Sequence, residues 1–147
     1  MTEDDIEAVQ QRHLAFASGF AETIARVTDW SAPSPVPEWT AIDVVAHLID
    51  WLPGFLADSG VQLTAEPDVA ADPTAAWDRR RTEVQALLDE IPNHTFTNPH
   101  TGDMPLARAL DQFYVADVLM HTWDLGKASG QGVRLDPDYC ALMVDGM

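Results

Sequence analysis

The chain has 147 residues, 46% of them apolar and 22% charged, which suits one globular domain with its own buried core rather than a disordered chain. Its formal net charge of −16, from 24 acidic against 8 basic residues, argues against nucleic-acid or anionic-membrane partners, whose binding draws on clustered Lys and Arg. A single cysteine, Cys140, excludes an intrachain disulfide and a thiolate metal cluster.

The first residues are acidic and lack the apolar stretch of a secretory signal. No run approaches the roughly 18 apolar residues of a membrane span, so a cytoplasmic protein is expected. Residues 3–28 place Ile6, Val9, His13, Phe16, Phe20, Thr23 and Val27 at steps of three and four, the spacing of a helix with one inward stripe. Residues 31–39 (SAPSPVPEW) cannot continue that helix and read as a rigid connector. Thr40, with Asp43 three residues on, then reads as an N-cap opening a second helix through Val44, Val45, His47, Leu48, Trp51 and Phe55. Pro53 inside that pattern predicts a kink or an early stop near Leu52.

Residues 59–72 are polar and read as a loop. Asp72-Pro73 starts a third helix through Trp77, Val84, Leu87 and Leu88 to about Glu90, with proline at its first position. Residues 91–103 are rich in Pro, Asn, Thr and Gly and read as a loop with room for a short hairpin; no stretch alternates convincingly as a sheet strand. A fourth helix is expected from Met104 or Pro105 to about Ser129, with an inward stripe of Ala107, Leu110, Tyr114, Asp117, His121, Asp124 or Leu125, and Ala128. Asp136-Pro137 opens a short fifth helix. The expected fold is an all-α four-helix bundle with a Pro-rich connector and a short fifth C-terminal helix, one domain over residues 1–147.

On the fourth helix Asp117 and His121 stand four residues apart, which puts carboxylate and imidazole on one face, one above the other. The stripe around them is otherwise apolar. Burying two ionisable groups is costly unless something compensates, and a shared cation compensates both. A hydrogen-bonded pair satisfied within the core is the other reading of these two residues. His47, mid-helix between Val44, Leu48 and Trp51, is the natural third ligand, because bundles build metal sites from side chains on facing helices. Two imidazoles and a carboxylate suit zinc first, then nickel or iron, and three protein ligands leave a coordination position open for water or substrate.

The stretch Trp30-x-Ala-Pro-x-Pro-x-Pro-Glu-Trp-Thr-x-x-Asp-Val-x-x-His-Leu and the later Asp117-Val-Leu-Met-His-Thr-Trp-Asp-Leu-Gly-Lys-Ala-x-Gly resemble the actinobacterial branch of the DinB-like superfamily. That branch includes the N-terminal domain of mycothiol-dependent maleylpyruvate isomerase. The resemblance covers about residues 5–145. It implies a DinB-like four-helix bundle with a divalent metal on a histidine of the second helix and an acid-x-x-x-His pair of the fourth, which fall here on His47, Asp117 and His121. It also implies a low-molecular-weight thiol such as mycothiol as the metal's partner, with S-transfer or thiol-assisted isomerisation of a small-molecule substrate as the activity. The isomerase carries Glu where this chain has Asp117.

Four further residues are candidates around that centre. Asp43 lies one turn before His47 and can orient its imidazole, or act only as a cap. Asp124, three residues after His121, has a similar standing. Trp51 and Tyr114 are candidate pocket walls, with plain packing the alternative for both. His13 has a lesser claim to reach the cavity, and His94 and His100 read as surface. Trp123 reads as core, and Cys140 as a small buried apolar group. The class that competes with an enzyme is a non-catalytic metal- or ligand-binding bundle, and pairing through an apolar helix face makes a homodimer an expectation.

Overall fold

The computed structural model describes residues 1–64 and 67–132. The fifth helix expected at residue 136 and Cys140 lie outside the described residues. Helix α1 spans Glu3–Ala25, α2 Ala41–Asp50, α3 Leu52–Leu56, α4 Pro73–Glu90, α5 Leu106–Ala109 and α6 Ala116–Ala128, with a 3₁₀ turn at Ala57–Ser59. A π-helical segment, Leu110–Val115, joins α5 to α6, so residues 106–128 form one rod.

The helix starts follow from local chemistry. Thr2 accepts the Asp5 amide while Asp5 Oδ2 accepts the Thr2 amide, a reciprocal cap for α1. Asp72 accepts the Ala75 amide at the head of α4, with Pro73 in the first turn where no amide is needed. Pro53 divides the second helix: α2 stops at Asp50, and α3 begins anew at Leu52 with Pro53 in its first turn.

Helix α1 packs on α4 and α6, and α2 packs on α6 and α4. Between them lies one apolar core in which Phe20, Leu48, Trp77, Val84, Leu88, Leu110 and Tyr114 are wholly buried. The α1–α4 seam is closed by Trp77, whose ring stands edge-on to Phe20 at 4.8 Å and whose Nε1–H donates to the Ala17 carbonyl at 3.0 Å.

The all-α expectation needs one correction, because the molecule is mostly helical but carries a two-stranded antiparallel sheet. Strands β1 (Thr95–Asn98) and β2 (Gly102–Pro105) pair from Thr95 with Pro105 to Asn98 with Gly102. Gly102 takes φ +74°, the left-handed conformation the tight turn requires. The alternation is hard to read in sequence because Phe96 is the one fully buried side chain the hairpin contributes. His94 lies at the surface as expected, and its Nε2–H donates to the Ser59 carbonyl at 2.7 Å while Ser59 Oγ accepts the Thr97 amide at 2.9 Å, so the hairpin is tied to the 3₁₀ turn. From Phe96 a run of aromatic contacts, Phe96 to Phe55 at 4.7 Å and Phe55 to Trp51 at 5.1 Å, leads to the end of α2.

Candidate metal centre

His47 sits in the last turn of α2, and Asp117 and His121 sit one turn apart on α6. The packing of α2 on α6 brings them together. His47 Nε2 lies 2.8 Å from Asp117 Oδ2, and His121 Nε2 lies 3.2 Å from Asp117 Oδ1. One ligand atom from each residue falls within 4.8 Å of the others. Ligand atoms about 2.0–2.1 Å from a tetrahedral ion stand about 3.3 Å apart, so the donor set has the chemistry to take a divalent cation and needs only a small side-chain adjustment to close on one. The protons that now bridge carboxylate and imidazoles occupy the place such a cation would take.

The surroundings prepare these three groups. Asp124 Oδ2 lies 2.8 Å from His121 Nδ1. That contact fixes the Nδ1–H on Asp124, so the Nε2 that now donates to Asp117 is the nitrogen free to give up its proton to a cation, the carboxylate–imidazole arrangement common behind metal ligands. Trp51 donates its Nε1–H to Asp117 Oδ2 at 3.2 Å and lies roughly parallel to the His47 ring at 6.1 Å. Burial by itself would raise the Asp117 carboxyl, but hydrogen bonds from His121 and His47 and their charges outweigh it and hold the group down to about 2. Burial would likewise lower His121, yet the hydrogen bond and charge of Asp117, with Asp124 behind, leave it above the ordinary 6.5. The site opens to solvent: the side chains of His47, Asp117 and His121 retain 27%, 17% and 11% exposure.

Two of the other candidates do something else. The Asp43 carboxylate accepts both the amide and the hydroxyl of Thr40, so it is committed to the α2 cap. Tyr114 is fully buried, and its hydroxyl donates to the Leu48 carbonyl at 2.8 Å, which makes it a tie between helices and not a pocket wall. Trp123 is 38% exposed, with Lys127 Nζ 5.4 Å from its ring, so it is not core either.

Sequence reasoning missed Trp39. The connector folds back on itself, with Ser34 N–H donating to the Trp39 carbonyl, Trp39 N–H to Val36, and Glu38 at φ +70°. This reversal lays the Trp39 ring 4.9 Å from His47 and 5.9 Å from His121. A signal existed: an apolar residue just before an N-cap packs back on the first turn of its helix, and His47 lies one turn further along.

His13 does not reach the centre. It is buried between α1 and α4, beside a groove of about 580 Å³, with Nδ1 2.7 Å from Gln85 Oε1. The Gln85 amide nitrogen donates to Gln10 and Asp89, so its oxygen faces His13, the proton sits on Nδ1, and the buried Nε2 has no partner among the described residues. Burial pushes this imidazole below 6.5. Its neutral form therefore contributes stability that is complete above pH 6.5 and is lost as pH falls through that value toward the folded-state one. Urea denaturation at pH 7.5 and 5.5 should show a smaller loss of stability for His13→Leu than for the wild type; an equal loss would refute this.

Asp124 offers a second test. With its support of His121 removed, Asp124→Asn should weaken zinc binding by about 10–100-fold in a chelator-competition titration. A change under about twofold would mean the contact is incidental.

Residues 13–68 match the family model of the mycothiol maleylpyruvate isomerase N-terminal domain. Two relatives from Mycobacterium tuberculosis, uncharacterized protein MT0763 of strain CDC 1551 / Oshkosh and uncharacterized protein Rv0738 of strain ATCC 25618 / H37Rv, are each 32% identical over 143 residues, covering 92% of this chain and 72% of the relative. This chain belongs to the mycothiol maleylpyruvate isomerase N-terminal domain family. The family segment contains Trp39, His47 and Trp51, while Asp117 and His121 come from the rod beyond it. No solved structure matches the chain. Among the described residues no helix is long and apolar enough to cross a membrane.

Proposed function

We propose that this chain is a DinB-like four-helix-bundle protein that binds one divalent metal, zinc before nickel or iron, and uses it with a low-molecular-weight thiol of the mycothiol kind as an S-transferase or thiol-assisted isomerase. The observation that carries this reading is the meeting of His47 and His121 on the two oxygens of one carboxylate, Asp117, at a solvent-accessible rim. A bound divalent cation supplies Lewis acidity, under which a coordinated thiol is a thiolate at neutral pH. The two imidazoles offer neutral nitrogen donors, and Asp117 offers charge. Asp124 holds His121 in the ligating tautomer, while the Trp51 indole N–H restrains the carboxylate. Trp39 and Trp51 flank the His47 ring and would confine a small substrate approaching it. The cytoplasm is the fitting compartment, since a reducing pool keeps such thiols free.

The test is elemental analysis of protein purified without chelator, followed by thiol-consumption assays with electrophiles. One equivalent of metal in the wild type, lost in His47→Ala, with metal-dependent thiol turnover, is expected. Metal without turnover would leave a non-catalytic metal-binding domain, and no metal at all would end the reading.

A further inference from the structure

The rod from Leu106 to Ala128 does not keep one buried stripe. At its start Leu106, Ala107, Ala109 and Leu110 face the core. Continuing the α-helical period through Tyr114 would next turn Asp117, His121 and Asp124 inward. Instead Val118 and Leu125 are fully buried, Thr122 and His121 are nearly so at 7% and 9%, and the Asp117 and Asp124 side chains stay partly exposed. The inward face has advanced by one residue. Between the two halves lies the π segment Leu110–Val115, whose i→i+5 bonding holds one residue more per turn than an α-helix. One residue corresponds to about 100° of rotation. Both ends of the segment are anchored: Asp111 Oδ1 accepts from Arg12 Nη1 at 2.6 Å on α1, and the Tyr114 hydroxyl donates to Leu48 on α2.

We propose that the extra residue in this π turn is the positioning device of the centre. It rotates α6 so that Val118, Thr122 and Leu125 fill the core and the two carboxylates and His121 stand at its rim. There His47, Asp117 and His121 would hold an ion within reach of a ligand arriving from solvent. A regular helix would bury Asp117 and Asp124 in the apolar interior and carry the ligands away from His47. The metal part of this inference rests on the proposed function, whereas the rotation does not.

The test removes the exposed Gln112 from full-length protein in a Cys140→Ser background, with Val118→Cys as a probe. In the undeleted chain Cys at position 118 should resist a thiol reagent. After the deletion it should label at least about tenfold faster, and zinc affinity by calorimetry should fall by at least about a hundredfold, while the helical circular dichroism persists. Inserting one alanine between Val115 and Ala116 of the deleted chain should restore both protection and zinc binding, because the extra residue again precedes Asp117. The same alanine placed after Leu125 should restore neither. If the simple deletion does not fold, this equal-length pair decides. Retained protection in the deletion, or equal rescue by the two insertions, overturns the proposal. A wild type without zinc affinity would refute the metal reading alone, since the labelling pattern still reports the rotation.

Discussion

On the proposed function, Asp117→Asn should remove divalent-metal binding, with zinc affinity expected to fall by more than about a hundredfold, beyond the 10–100-fold cost of losing a supporting contact. Among the described residues it is the one carboxylate bonded to both imidazoles, so it is the charged donor that would hold them around a cation. The amide keeps the volume but loses the charge. The same substitution should change how His121 titrates. Asp117 is the main group raising it, and burial alone lowers it, so its midpoint should fall in the variant, as read from its imidazole proton signals. In the wild type, zinc affinity should decline as pH drops through the raised His121 value, since a cation and a proton compete for one lone pair. Asp117, already down at about 2, adds nothing to that decline near neutrality. Undiminished zinc binding by Asp117→Asn would dismiss the site.

The second large effect is on stability. Trp77→Ala should cost about 3–5 kcal/mol, the range for truncating a large buried aromatic, out of a total of about 5–15 kcal/mol for a domain. Trp77 is fully buried, meets Phe20 edge-on and bonds the α1 backbone, so the change opens a cavity at the α1–α4 seam. The urea midpoint should drop sharply with little change in slope. Where the variant is still folded, zinc affinity should be unaltered, because the α2–α6 centre does not touch this seam. A loss below about 1 kcal/mol would show that the seam collapses around the gap.

Where the chain's rules are local, the sequence could be read directly. Thr40 with Asp43, Asp72 with Pro73, and Pro53 each act through atoms within a few residues, and the helix ends fall where those residues place them. The spacing of Asp117 and His121 is local too, and the apolar stripe around His47 marks it as inward, which is why all three are legible in the sequence. What escaped depends on distant packing. The hairpin draws on contacts from Ser59 and Phe55. Trp39 reaches His47 only because the connector reverses on itself. The expected inward stripe runs straight through residue 114, because a π turn leaves no mark on apolar periodicity and shows only in the burial on either side of it.

Trp39 and Trp51, two of the five tryptophans, stand within about a ring's width of His47. Excited indoles that close to an ion with a partly filled d shell lose their emission to it, whereas zinc, with its shell full, drains far less. The protein thus carries its own optical gauge. Cobalt or nickel entering the centre should dim the native fluorescence, and zinc displacing them should bring it back, with no dye attached.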